Sequence, residues 1–263
     1  MGNSIQKIAF QPPNPASRFP SKFSPPQYAK TAEGHQIPVL HFPYPDSDLT
    51  LFFSHGNACD LGQQAEYLHY LSRQLKISVV GYEYLGYGHC LYNHKPSSLS
   101  KNKSPTDCPS NFPSENGTYQ SIEAVYQWAK KKLKLHDHQM IWMGQSIGSG
   151  PTTHHCSRHP SCAMILVTPF KSAVKVVTEY SSVSSVDFFE NHNKIADINC
   201  PILIIHGTAD SVVPFSHGKE LYQILRDESK NPTAVWIEGA DHNDLDNFPQ
   251  YLTGLNDFLR KLN

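Results

Sequence analysis

Seven short apolar runs, each about one strand long and separated by polar or helix-patterned sequence, constrain the fold of this chain more than any other feature. They are Ile37–Phe42, Leu49–Ser54, Ile77–Tyr82, Gln139–Met143, Ala163–Val167, Ile202–His206 and Ala234–Ile237. Several are continuous rather than alternating, as in Met164-Ile165-Leu166-Val167 and Ile202-Leu203-Ile204-Ile205. A strand that is apolar on both faces has to be covered on both faces, which is the condition of a parallel sheet. The intervening sequence supplies the cover. Ile122, Val125, Tyr126, Ala129 and Leu133 share one helical face, as do Leu252, Leu255, Phe258, Leu259 and Leu262. Asp60 followed by Gln63 has the spacing of a helix-start capping pair. The expectation is an α/β fold with a mostly parallel central sheet and helices on both faces.

Two stretches stand outside this rhythm. Residues 1–32 carry Pro12, Pro13, Pro15, Pro20, Pro25 and Pro26, and the cations Lys7, Arg18, Lys22 and Lys30 with no acid before Glu33. Prolines at this density exclude a helix, so an extended basic arm is expected ahead of one domain over 33–263. Residues 93–112 are rich in Ser, Pro, Asn and Lys and read as a mobile surface insertion. The formal net charge of −1 gives no reason to expect a nucleic-acid partner. No apolar run reaches the ~20 residues of a membrane span, and Met1–Phe10 lacks a secretory core, so an intracellular, cytoplasmic protein is expected. Cys59, Cys90, Cys108, Cys156, Cys162 and Cys200 form no C-x-x-C pair and are expected to be thiols. The pairs His136/His138 and His154/His155 have no matched second cluster at zinc-like spacing, so neither a metal nor a cofactor is expected.

The chemistry concentrates at the ends of the runs. Gln139–Met143 leads into Gly144-Gln145-Ser146-Ile147-Gly148, the strand–turn–helix setting of a nucleophile elbow with Ser146 at its apex. The strand Ile202–His206 leads to Asp210, and Ala234–Ile237 leads to His242, giving the chain order Ser, Asp, His. A serine hydroxyl is a weak nucleophile. His242 is expected to take and return its proton, and Asp210 to fix the imidazole tautomer. Asp241, Asp244 and Asp246 are alternative acids, but they lie too close to His242 in sequence to be preferred. Ser54-His55-Gly56-Asn57-Ala58 follows the strand Leu49–Phe53, where a second oxyanion donor is needed. Backbone N–H groups of Asn57 and Ile147 are assigned that role, and His55 is read as bracing its loop.

The segments Phe53–Gln63, Gly86–His89, Pro113–Asn116, Gly144–Pro151, Ile202–Asp210, Pro214–Gly218 and Glu238–Asp244 together resemble the Bem46-like branch of the α/β-hydrolases. The likeness is strongest to the α/β-hydrolase domain-containing protein 17 group, and only 93–112 falls outside it. The resemblance implies an α/β-hydrolase fold and a peripheral membrane thioesterase that removes palmitate from protein cysteines. It also implies that Ser146, Asp210 and His242 are the triad. Three departures stand out: Asp241 before the histidine, His89-Cys90 after Gly-Tyr-Gly, and no cysteine before Cys59 in place of the group's palmitoylated N-terminal cluster.

Without that cluster, Gly2 is a candidate for N-myristoylation, although Gln6 stands where Ser or Thr is usual. One acyl chain binds a membrane only marginally, and the basic arm is the expected second signal. The segment 168–200 is too short for a full cap domain, which implies an open site. Phe188 and Phe189 are candidate acyl contacts, with core packing as their alternative role. The expected partners are an S-acylated protein or a lipid ester and a membrane surface on the cytosolic face. A carboxylesterase or lipase would use the same triad. A peptidase or a non-catalytic scaffold fits less well.

Overall fold

The computed structural model describes residues 9–93, 113–173, 176 and 187–262. The insertion at 93–112, apart from its first residue, lies outside these, as do Gly2 and Lys7. The strands are β1 (Gln27–Lys30), β2 (Gln36–Phe42), β3 (Thr50–Ser54), β4 (Ser78–Tyr82), β5 (Met140–Gln145), β6 (Ala163–Val167), β7 (Ile202–Gly207) and β8 (Thr233–Ile237). The main helices are α1 (Leu61–Leu75), α2 (Glu115–Trp128), α3 (Ser149–Cys156), α4 (Phe215–Asp227) and α5 (Pro249–Leu259). All seven expected strands are present, with no end shifted by more than two residues.

The eight strands form one sheet in the order β1-β2-β4-β3-β5-β6-β7-β8. From β4 to β8 every pair is parallel, while β1/β2 and β2/β4 are antiparallel. This is an α/β-hydrolase fold without a full cap domain among the described residues. The continuous apolar strands explain it. Along β3, Phe52 faces one core and stacks on Trp142 at 4.5 Å, while Leu51 and Phe53 face the other. Such two-faced burial needs a helix layer on each side. No helix among the described residues is long and apolar enough to cross a membrane.

The arm, expected to be extended, packs on the domain along its described residues. Its last residues form β1, paired antiparallel with β2 over Gln27–Lys30. Upstream, Phe10 is buried against Tyr87, Phe188 and Phe189, and Ser17 N–H donates to Asp60 at 2.7 Å. Asp60 also caps α1, accepting from the Gln63 N–H at 3.1 Å, so one carboxylate joins the arm to the domain. Among the basic residues, Lys22 pairs with Glu66 at 2.6 Å on the surface. The prolines did not keep the described part of the arm from packing.

Candidate active site

In a parallel sheet, loops at the carboxyl ends of the strands converge where the strand order reverses. Here the reversal lies at β4-β3-β5, and the loops after β3, β5, β7 and β8 supply Asn57, Ser146, Asp210 and His242 respectively. The loop after β5 begins at Ser146, whose φ of 53° is left-handed and costs a non-glycine residue strain. The strained turn lifts the hydroxyl off the sheet. Neither Gly144 nor Gly148 has positive φ; both are required by close approach. A Cβ on Gly144 would lie 2.4 Å from the Gly148 carbonyl, and one on Gly148 would lie 2.1 Å from the Ser54 carbonyl. The glycines therefore let the turn close against α3 and β3.

The His242 ring bridges the other two residues. Its Nε2 is 3.0 Å from the Ser146 Oγ and its Nδ1 is 2.9 Å from the Asp210 Oδ2. With Nδ1–H donating to the carboxylate, Nε2 is left as the acceptor facing the hydroxyl. Asp210 is itself held from several sides. Its Oδ1 accepts from the N–H groups of Val212 and Val213 at 2.9 and 2.8 Å. His206 Nε2 lies 3.2 Å from Oδ2 and also donates to the Val213 carbonyl at 3.0 Å. Burial alone would raise this carboxyl, but the hydrogen bonds from His206 and His242 and the backbone hold it well below the usual range.

Two of the three alternative acids, Asp241 and Asp244, are engaged elsewhere. Asp241 accepts from the Ser211 N–H at 2.7 Å, from the Ser211 hydroxyl at 2.9 Å and from the His242 N–H at 2.7 Å. Asp244 accepts from the Asp241 N–H at 2.7 Å. Both shape the loop that carries His242, and neither meets its ring. Sequence reasoning missed His206 as a partner of Asp210. The signal was its place four residues before the acid, but a histidine ending a buried strand is not distinctive in sequence.

Asn57 and Ile147 both line the cleft beside Ser146. The loop after β3 that carries Asn57 is pinned by its side chain. The Asn57 amide donates to the Ala9 carbonyl at 2.6 Å and accepts from the Gln11 N–H at 2.9 Å and the Tyr87 hydroxyl at 2.6 Å. Beneath it, His55 Nδ1 meets the Gly56 carbonyl at 2.8 Å and Nε2 meets Glu83 at 2.8 Å, with both side chains 1% exposed. Two acceptors for one ring require the doubly protonated imidazole. Burial alone would drive the ring neutral; the nearby Cys59 sulfur and the Glu83 carboxylate outweigh it and raise His55 well above its usual value. Glu83 also accepts from the Leu61 N–H at 3.0 Å, tying this pair to the start of α1.

Glu83→Ala is therefore expected to lower the unfolding free energy by about 3–5 kcal/mol in urea titrations at neutral pH. A loss below about 1 kcal/mol would mean that the pair does not hold the loop. Because the folded pKa of His55 is raised, its contribution is complete below the unfolded value of about 6.5 and is lost as pH rises through the folded value. The variant should accordingly lose the alkaline fall in stability that the wild type shows.

The cleft in front of Ser146 encloses about 700 Å³ and is walled by Ile147, Phe170, Val176, Phe188, Val212 and Val213, with Ala9 and Gln11 of the arm at its edge. Phe188 takes part in this wall. Phe189 does not: it is fully buried behind the cleft, packed on Phe10, Phe170 and Tyr119 where Gly150 leaves room for its ring. Its role is core packing. A cleft of this size with a few convergent polar groups suits an organic substrate with an extended apolar part.

Residues 170–261 match the prolyl oligopeptidase family. The chain is 34% identical over 221 residues to α/β-hydrolase domain-containing protein aho-3 of Caenorhabditis elegans, covering 82% of this chain and 59% of that protein. It thus spans about three-fifths of the nematode relative. It is 33% identical over 232 residues to human α/β-hydrolase domain-containing protein 17B, covering 88% of this chain and 73% of the relative. Among solved structures, the Pyrococcus furiosus esterase Pf2001 superposes with a TM-score of 0.72 at 16% identity, covering 95% and 96% of the two chains. That likeness is one of fold.

Proposed function

The chain belongs to the α/β-hydrolase family, in the α/β-hydrolase domain-containing protein 17 group, and from that premise we propose that it is a serine hydrolase cleaving long-chain acyl thioesters or esters through an acyl-enzyme at Ser146. The observation that carries the reading is the His242 ring, hydrogen-bonded at once to Ser146 and Asp210 at the mouth of an apolar cleft. His242 Nε2 takes the Ser146 proton as Oγ attacks the carbonyl carbon. The oxyanion is met by the backbone N–H groups of Asn57 and Ile147. Collapse of the tetrahedral intermediate expels the thiolate or alkoxide, which receives the proton from His242. Water then repeats the cycle on the acyl-enzyme with His242 again as base.

The preferred substrate is a palmitoylated protein cysteine. Support comes from the relatives' group and the apolar wall of the cleft. The membrane reading also stands as a proposal, with Gly2 acylation and the basic arm bringing the site to an anionic surface. The deciding experiment compares palmitate release from a labelled S-acyl protein with hydrolysis of esters of graded chain length. Turnover of the S-acyl protein supports the depalmitoylase reading. Cleavage of simple esters alone would replace it with a carboxylesterase, and cleavage of blocked peptides with a peptidase.

The cleft wall gives a sharper test. Val212 is 50% exposed at the rim, and its side chain holds no structural hydrogen bond. Val212→Ser removes roughly two methyl-sized groups of apolar contact, at about 0.8 kcal/mol per group. The full contact is then about 1.6 kcal/mol, so kcat/KM for a long-chain ester should fall up to about fifteenfold while that for an acetyl ester stays unchanged. Equal effects on both esters would show that the acyl chain does not lie along this wall.

A further inference from the structure

α2 and α3 pack side by side on one face of the sheet, and a second cavity of about 730 Å³ is lined by residues of both. Its lining includes Glu123 of α2, His155 of α3 and His159 just beyond the end of α3. One carboxylate oxygen of Glu123 and one ring nitrogen from each histidine lie within 4.8 Å of one another. The Glu123 carboxylate already meets His159 Nε2 at 3.0 Å.

We propose that Glu123, His155 and His159 form a binding site for a divalent transition-metal ion of the zinc type. The donor set is two imidazoles and one carboxylate, a combination that zinc accepts with a fourth position left to water. The two histidines are four residues apart, so a helical turn stacks them on one side. Their rings lie with centroids 4.6 Å apart and planes 25° apart. Zinc bonds of about 2.0–2.2 Å place tetrahedral ligand atoms roughly 3.3–3.6 Å apart. The Glu123–His159 contact is already slightly inside that spacing. Small side-chain rotations bring in the third donor.

A second observation points the same way. His155 is 1% exposed, and its Nε2 is buried with no hydrogen-bond partner. A buried ring nitrogen without a partner carries a desolvation cost that a bonded metal would remove. Trp142 and Tyr126 hold the ring from two sides, at centroid distances of 4.1 and 5.0 Å, and so limit its rotamers. Glu123 and His159 are 45% and 28% exposed, which gives the ion a way in. The bound ion ties α2 to the end of α3, the helix that begins next to Ser146.

The full chain, stripped with a chelator and dialysed, is titrated calorimetrically with zinc chloride, and the metal retained after gel filtration is counted. One equivalent is expected. Glu123→Gln and His159→Ala should each weaken binding at least about 100-fold, the upper end of what losing an outer-sphere partner costs. Both positions are partly exposed, so the variants are expected to fold, and circular dichroism checks this. His136→Ala with His138→Ala removes the other close histidine pair and should leave the equivalent in place. Cobalt in place of zinc should give visible absorption in the wild type that is absent from His159→Ala. The assignment is overturned if the wild type retains no zinc, in which case a bridging water satisfies His155. It is equally overturned if Glu123→Gln and His159→Ala bind as the wild type does.

Discussion

Ser146→Ala is expected to reduce kcat by about a million-fold on every substrate the protein turns over, the scale on which triad serines contribute in serine proteases. The geometry supports so large a figure because the hydroxyl is the only group at the elbow apex that His242 can deprotonate, at 3.0 Å. Alanine keeps a Cβ at the strained φ of 53°, so the turn and the cleft should survive and the thermal midpoint should move little. Burst kinetics with a chromogenic ester would give one acyl group per wild-type chain and none in the variant. Activity within tenfold of wild type would remove Ser146 from the mechanism, and with it the acyl-enzyme.

Asp210→Asn should lower kcat by about ten-thousand-fold with KM little changed. An amide offers His242 Nδ1 either a donor or a weaker acceptor, so the tautomer that aims an unprotonated Nε2 at Ser146 is no longer enforced. Asp241→Asn is the control. Its carboxylate binds Ser211 and the His242 backbone rather than the ring, so less than about a tenfold change in kcat is expected. If the two variants traded places, with Asp241→Asn the inactive one, the assignment of the acid would be reversed.

This choice between neighbouring aspartates shows how far the sequence reached. The order Ser146, Asp210, His242 was legible because each follows its own apolar run, and such runs end at one edge of a parallel sheet. That Asp241 faces Ser211 and not the ring is a matter of side-chain direction in one turn, which no spacing rule resolves. The same holds for the two phenylalanines. Adjacent aromatic residues in a loop are equivalent in sequence, yet Phe188 faces the cleft and Phe189 fills the space that Gly150 leaves. For the arm, the density of prolines spoke only to local backbone conformation. The prolines carried no information on whether Phe10 would find an aromatic pocket or whether Gln27–Lys30 would find the edge of β2.

What the sequence determined by itself is the layered α/β architecture and the four strand ends that carry the site, because hydrophobic periodicity and turn chemistry are local properties. What only the tertiary structure decided is which polar groups meet across long separations. His206 and the backbone around Val213 hold Asp210, Glu83 holds the His55 loop, and Glu123 of α2 comes to the two histidines at the end of α3. Each of these meetings depends on how helices and loops pack onto the sheet. A hydrogen bond or metal-ligand set requires placement to a few tenths of an ångström, and that precision resides in packing rather than in pattern.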